Sequence, residues 1–89
     1  MTRWRLEIAP AFERSVRKLD VNVRRRIRTY LEELCRLEDP RVRGKSLHGE
    51  LSGLWRYRIG DYRVIASIED SRLVIVAVGI GHRSQVYRP

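Results

Sequence analysis

The stretch LWRYRIGDYRVIASI, residues 54–68, decides the fold of this chain. On each side of Gly60-Asp61, apolar and polar residues alternate with the period of two that is typical of half-buried β-strands. Glycine at the first central position suits a two-residue type II′ turn, so the stretch is predicted to be a β-hairpin. That register pairs Ile59 with Tyr62, Arg58 with Arg63, Tyr57 with Val64, and Arg56 with Ile65.

The sequence around the hairpin adds two strands and two helices. Alternation over 4–8 predicts a strand, and apolar residues at helical spacing predict a helix over about 10–19. They predict a second helix that Asp20 caps, that runs to about Leu37 or Glu38 and that Asp39-Pro40 ends. Residues 39–53 are polar and interrupted by Gly and Pro, and we expect a loop. The apolar run 73–78 is typical of a central strand. The predicted fold class is α+β, in the order β-α-α-β-β-β. Two N-terminal antiparallel helices pack on one face of a mainly antiparallel four-stranded sheet.

Length and composition restrict the classes of protein that fit. The 89 residues suit one domain, so we expect residues 1–89 to form a single unit. Lys and Arg number 19 against 11 Asp and Glu, a net charge of +8 that attracts nucleic acid or an acidic protein. Cys35 is the single cysteine, which excludes an intrachain disulfide. Neither a membrane-spanning apolar stretch nor an apolar signal-peptide core is present, and we expect a cytoplasmic protein with no membrane association.

The predicted hairpin places Arg56, Arg58 and Arg63 together on the face opposite the one that carries Trp55, Tyr57, Ile59, Tyr62 and Val64. Like charges directly opposite each other in a ladder are destabilising by roughly 0.2–1 kcal/mol. One interpretation is a solvated polar face whose charges are splayed apart. The other is a site for a polyanion, because arginine grips phosphate through two parallel hydrogen bonds.

The C-terminal segment GHRSQVYR, residues 81–88, follows the predicted central strand and therefore begins beside the hairpin. It adds Arg83, His82 and Tyr87 to the candidate site. Basic side chains interleaved with an aromatic ring are typical of RNA sites, where unstacked bases lie on aromatic side chains. A tyrosine near a C-terminus is also often a packing residue.

Further basic residues are candidates for RNA contact. Arg24, Arg25, Arg26 and Arg28 on the second helix form either a solvated face or a surface for RNA backbone. Lys45 and His48 lie in the predicted loop, where either residue is in reach of RNA. Two His, one Cys and scattered acids lack the spacing of metal ligands, so no metal and no cofactor is expected.

Residues 47–64 and 81–88 together resemble the two signatures of RelE-type toxins of the RelE/ParE superfamily. The resemblance implies a toxin of a type II toxin–antitoxin system, a ribosome-dependent endoribonuclease that cleaves mRNA in the A site. It also implies a cognate acidic antitoxin, the ribosome and mRNA as partners, and contact with operator DNA only through the antitoxin complex. By position it assigns catalytic roles to Arg56, Arg58, Arg63, Arg83 and Tyr87. ParE-type members share the fold and act on DNA gyrase, and an inactive antitoxin-binding member is a third alternative.

Cleavage through the RNA 2′-OH needs a base, positive charge on the phosphorane and an acid for the leaving oxygen. Arginines stay protonated, so they supply charge and are poor bases. His82 is the candidate imidazole for proton transfer, and Tyr87 can orient a base or pass a proton. The sequence leaves open which group takes the first proton. Because bases are scarce, we expect slow cleavage of free RNA and reliance on the ribosome for in-line geometry.

Overall fold

The protein, a computed structural model, is described over residues 3–84. Its elements are β1 (Arg5–Ile8), α1 (Pro10–Arg17), α2 (Val21–Leu34), β2 (Lys45–Ser46), β3 (Trp55–Ile59), β4 (Tyr62–Glu69) and β5 (Val74–His82), with 3₁₀ turns at Pro40–Arg43 and Gly49–Leu51. The order of helices and long strands is the one predicted, and the α+β fold class is confirmed.

The sheet contains five strands in the order β1-β5-β4-β3-β2, so the prediction of four strands was wrong. The additional strand is β2, whose Lys45 and Ser46 pair antiparallel with Arg56 and Trp55. Two residues are too few to produce a visible alternation, which is why the sequence pattern indicated only a loop. β1 pairs in parallel with β5, and all other neighbours are antiparallel.

The central strand β5 extends four residues beyond its predicted end at residue 78. Gly79 and Gly81 have little strand preference of their own, and the apolar run stops before them. They are held in the sheet because Gly79–His82 pair with Tyr62–Ile65 of β4, and a bulge after Ile65 adjusts the register. Pairing with a neighbouring strand thus outweighs local preference and carries the strand to the tip of the hairpin.

The helices begin as predicted and end earlier. Asp20 caps α2 by accepting a hydrogen bond from the backbone N–H of Asn22 at 2.9 Å, and α2 ends at Leu34, three or four residues before the predicted end. The carbonyl of Cys35 accepts hydrogen bonds from the N–H groups of Arg3 and Trp4, both at 3.1 Å. Beyond Leu34 the chain tightens into i→i+3 hydrogen bonds, from Arg36 to Glu33 and from Leu37 to Leu34, while the N-terminal segment occupies the carbonyl of Cys35. Neither helix is long and apolar enough to cross a membrane, as far as residues 3–84 show.

The core lies between the two helices and one face of the sheet. Phe12 from α1 and Ile27, Leu31 and Leu34 from α2 pack against that face, and all four are buried. The sheet contributes Tyr57, Ile59, Val64, Ala66, Ile75 and Ala77. Cys35 is also buried there, and burial raises the pKa of its thiol, as expected for an unreactive residue.

Tyr57 joins β3 to the turn at Pro40–Arg43. Its side chain is fully buried, and its hydroxyl donates a hydrogen bond to the carbonyl of Pro40 at 2.8 Å. Burial raises the pKa of this phenol above its ordinary value of 10.0, so the ring stays neutral where an exposed tyrosine would ionise. The same turn is held on its outer side by Arg41, which bonds Asp39 at 3.1 Å and Asp70 at 2.5 Å.

We expect Tyr57→Phe to lower the free energy of unfolding by about 1–3 kcal/mol, because the buried carbonyl of Pro40 loses its donor. A phenol with a raised pKa stabilises the fold below pH 10 and loses that contribution as the pH rises toward its folded-state pKa. Urea unfolding measures the free energy of unfolding at neutral pH and above pH 10. Between these two pH values that free energy should fall more for the wild type than for the variant. Equal pH dependence in both proteins would contradict this assignment.

Candidate functional site

The hairpin of β3 and β4 has the predicted register, with Arg58 opposite Arg63 and Arg56 opposite Ile65. Tyr57 and Ile59 point into the helix-covered core, so the alternating residues Arg56 and Arg58 lie on the other face of the sheet. Directly opposite residues share a face, which adds Lys45 of β2 beside Arg56. We call these four residues, Lys45, Arg56, Arg58 and Arg63, the cationic face.

Among the side chains of the cationic face, Arg63 has hydrogen-bond partners in the described residues. The guanidinium of Arg63 turns back and donates to the carbonyls of Gly60 at 3.3 Å and Tyr62 at 3.1 Å. Arg58 is exposed and reaches a groove beside α2. Within residues 3–84, Arg56, Arg58 and Arg63 have no carboxylate partner. Like charges at neighbouring positions of one sheet face repel each other, and a shared anion would offset that repulsion.

The tip of the hairpin brings a helix arginine to the strands. Gly60 has φ of 58° and Asp61 has no positive φ, which matches the predicted type II′ turn. The missing side chain of Gly60 makes room for Arg26 of α2: a Cβ at this glycine would lie 2.8 Å from Nη1 of Arg26. The positive φ of the turn is what favours glycine here, since the end of the flexible Arg26 side chain could move aside for a Cβ.

Arg83 lies at the same tip, as predicted from the position of the C-terminal segment. Its backbone N–H donates to the carbonyl of Asp61 at 2.6 Å, and its Nε lies 3.5 Å from Oδ1 of Asp61. Both side chains are largely exposed, so the ion pair itself contributes little stability. The ion pair instead positions Arg83 at the hairpin, near the strands that carry Arg58 and Arg63. Tyr87, the other candidate of this segment, lies outside the described residues.

His82 does not join the arginines, contrary to the prediction that it lies near them. It pairs with Tyr62 in the ladder and therefore faces the helices, where the two rings meet edge to face at 5.2 Å. It lines a pocket of about 420 Å³ together with Ser15 of α1 and Lys18, the residue that caps the end of that helix. The N–H of Ser84 donates to Nδ1 of His82 at 3.1 Å, so the neutral ring carries its proton on Nε2. Successive residues of a strand point to opposite faces. Gly81 lies opposite Arg63 on the face of the arginines, so its neighbour His82 points to the other face.

The other predicted RNA-binding residues are dispersed. His48 is exposed at the start of the turn Gly49–Leu51. Arg28 is exposed and forms an ion pair with Glu32 at 3.4 Å along α2. Arg24 is half-buried, and its Nε is buried without a hydrogen-bond partner in residues 3–84. Arg25 is exposed and lines the groove that Arg58 reaches.

That groove was not predicted from the sequence. It lies between α2 and the edge of β3 and has a volume of about 480 Å³. The helix contributes Asn22, Arg25, Arg26, Thr29, Tyr30 and Glu33. Their spacing of i, i+3, i+4, i+7, i+8 and i+11 is that of one helical face, so a search for polar as well as apolar stripes would have found it. No group of three or more metal-binding side chains occurs in the described part of the chain.

Comparison with known proteins identifies the family. Residues 6–87 match the family model described as ParE toxin of type II toxin–antitoxin system, parDE. Toxin RelE of Mycobacterium tuberculosis is 40% identical over 52 residues, 58% of this chain and 54% of that protein. Toxin RelG of the same organism is 38% identical over 45 residues, 51% of this chain and 52% of RelG. The matched segments thus span about half the length of these curated relatives.

Solved structures agree over a larger part of the chain. The toxin–antitoxin complex RelBE2 from Mycobacterium tuberculosis contains a chain with a TM-score of 0.84 and 26% identity, and the match covers 96% of this chain and 97% of that one. The RelE–RelB complex from Pyrococcus horikoshii gives 0.74 and 26%, covering 94% and 99%. The fold and the family model lead to the same assignment. This chain belongs to the ParE toxin family of type II toxin–antitoxin systems, within the RelE/ParE superfamily.

Proposed function

We propose that this toxin is a ribosome-dependent endoribonuclease that cleaves mRNA in the A site without a metal ion. The observation that carries the proposal is the pairing of Arg58 with Arg63 on the sheet face away from the helices, with Arg83 bonded to Asp61 at the tip of the same hairpin. A fold gains nothing from like charges at opposite positions of a ladder, whereas a phosphate group between them gains several charge-assisted hydrogen bonds.

In the proposed reaction, the RNA 2′-OH attacks the adjacent phosphate and the 5′-oxygen leaves. Arg58, Arg63 and Arg83 stabilise the extra negative charge on the phosphorane, and Arg56 with Lys45 holds the neighbouring backbone. Arg63 is the preorganised member of this set, because hydrogen bonds to two carbonyls of the turn already hold its guanidinium in place. Tyr87 remains a candidate for handling a proton. His82 faces the helices, so a catalytic role for it would require RNA to reach that side as well.

The remaining parts of the proposal concern where the toxin acts and what it binds. The ribosome would supply the in-line geometry of the mRNA, with Arg24, Arg25, Arg28 and His48 contacting RNA backbone around the site. A cognate acidic antitoxin would neutralise the toxin, as the complexes of RelE with RelB suggest. Contact with operator DNA would occur through that complex only. These activities belong to the cytoplasm, where translating ribosomes are found.

Toeprinting on translating ribosomes tests this function. The expected result is a set of breaks inside A-site codons with the wild-type toxin, and intact mRNA with a triple variant in which Arg58, Arg63 and Arg83 are all alanine. Breaks of equal strength with the triple variant would rule out the cationic face as the catalytic site.

Inhibition of DNA gyrase is the second candidate, and the match to the ParE toxin family model favours it. A supercoiling assay with purified gyrase separates the two functions. Intact mRNA on ribosomes together with stalled gyrase would replace the nuclease proposal by this one. Neither effect, with antitoxin binding retained, would indicate an inactive member.

We expect Asp61→Asn to strengthen binding of RNA by up to about fivefold at low salt. Asp61 holds Arg83 through an exposed ion pair worth at most about 1 kcal/mol, and a bound phosphate competes with that carboxylate. Fluorescence titration with a 2′-O-methyl RNA measures binding without cleavage. Glu38→Gln serves as the control, because it removes an exposed carboxylate that is distant in sequence from Asp61. Weaker binding by Asp61→Asn would show that the carboxylate positions Arg83 productively instead of competing with RNA.

A further inference from the structure

The groove between α2 and β3 has a composition that its role in the fold does not explain. Arg25 and Arg26 of α2 and Arg58 of β3 line it, together with the amide of Asn22 and the hydroxyl of Thr29. These are hydrogen-bond donors that suit an anionic ligand. The cavity of about 480 Å³ is large enough for more than a single ion.

The positive charge of this groove is not neutralised from within. Glu33 is the acidic residue of the lining, and Arg43 already pairs with it at 3.3 Å. Arg25, Arg26 and Arg58 have no carboxylate partner in the part of the chain that the structure describes. Three arginines therefore line one concave surface without a carboxylate to balance them, and the positive potential they create favours the approach of an anion.

Arg58 connects the groove to the cationic face. Its side chain leaves β3 opposite Arg63, and the same residue also lines the groove. On the other side of the turn, Arg26 lies against Gly60, so the groove reaches the hairpin tip where Arg83 is held. A strand with regularly spaced negative charges can therefore pass from the cationic face over the edge of β3 into the groove.

The edge of β3 also argues against an added peptide strand. β2 already pairs with Arg56 and Trp55, and the chain turns at Gly60. By the alternation of the ladder, only the backbone groups of Arg58 remain directed outward between these two points. A single residue is too short to hold an extended peptide by strand addition, whereas a backbone amide beside the arginines of the groove suits a phosphate.

We propose that the groove formed by Arg25, Arg26 and Arg58 binds a second phosphate of the RNA strand, next to the stretch held by the cationic face. The proposal rests on the proposed function for the identity of the ligand as RNA. The groove then fixes the direction of the strand across the edge of β3. Arg25 and Arg26 are binding residues in this account and take no part in the chemistry.

The test is binding of a 2′-O-methyl RNA of about nine nucleotides, within the length range of single-strand sites, over a series of salt concentrations. The variant is Arg25→Gln with Arg26→Gln. The charge-matched control is Arg14→Gln with Arg36→Gln, two exposed arginines that line neither pocket. Thermal unfolding confirms that each protein is folded. If the loss of Arg26 disturbs the hairpin, Arg25→Gln alone should give a smaller change in the same direction.

The expected result is roughly tenfold weaker binding by the groove variant. Its plot of log affinity against log salt should be shallower by about 0.7, the change for one phosphate contact on a single strand. Equal losses in the groove variant and the control would overturn the proposal. So would unchanged RNA binding combined with weaker binding of a polyglutamate peptide, which would assign the groove to an acidic protein.

The toeprinting result separates this proposal from the proposed function. Cleavage by the wild type with no effect of Arg25 and Arg26 on RNA binding would leave the nuclease in place and remove the groove site. Absence of cleavage with RNA binding that depends on these two residues would remove the nuclease and support the groove as an RNA site.

Discussion

Arg63→Ala is expected to slow mRNA cleavage on ribosomes by about 10²–10³-fold, the usual cost of losing one preorganised donor at a developing negative charge. Arg63 lies opposite Arg58, and its guanidinium is fixed by the carbonyls of Gly60 and Tyr62 before any RNA binds. A group that is held in advance needs no reorganisation in the transition state, so its removal should lower the rate more than the affinity.

A time course of toeprint signals at saturating toxin measures this rate. Arg63→Lys should recover only part of it, because an ammonium group cannot make the two parallel hydrogen bonds of a guanidinium. Arg14→Ala removes an exposed arginine of α1 and should cleave like the wild type. A wild-type rate for Arg63→Ala would mean that the charge on the phosphorane is stabilised elsewhere.

Ile75→Ala is expected to lower the free energy of unfolding by about 2–5 kcal/mol. Ile75 is fully buried in β5, the strand between β1 and β4, where it faces the helices. A chain of 89 residues has a total stability of about 4–13 kcal/mol at the usual value per residue, so the loss is a large share of it. The variant should be partly unfolded at physiological temperature.

Urea unfolding followed by circular dichroism measures the effect, with Val42→Ala as the control because Val42 is 73% exposed. A partner that binds only the folded state adds stability by mass action. Coexpression with the proposed cognate antitoxin should therefore restore soluble Ile75→Ala protein. A change below about 1 kcal/mol would show that the core relaxes around the smaller side chain.

The sequence by itself determined the hairpin and the placement of arginines on it. Alternation with a period of two, interrupted by Gly60-Asp61, admits one register, and that register sets Arg58 opposite Arg63. The apolar stripes of the helices and the cap at Asp20 are equally local signals, and the structure contains both. The family signature added residues whose roles remain predictions.

The tertiary structure decided everything that depends on contacts distant in the chain. β2 exists because Lys45 meets Arg56, α2 gives way to tighter turns where the N-terminal segment bonds the carbonyl of Cys35, and β5 continues through two glycines because β4 pairs with it. The same pairing turns His82 away from the arginines, and the approach of Arg26 to Gly60 forms the groove. The physical reason is common to all five: hydrogen bonds and packing between separated segments outweigh local preferences of a few tenths of a kcal/mol per residue.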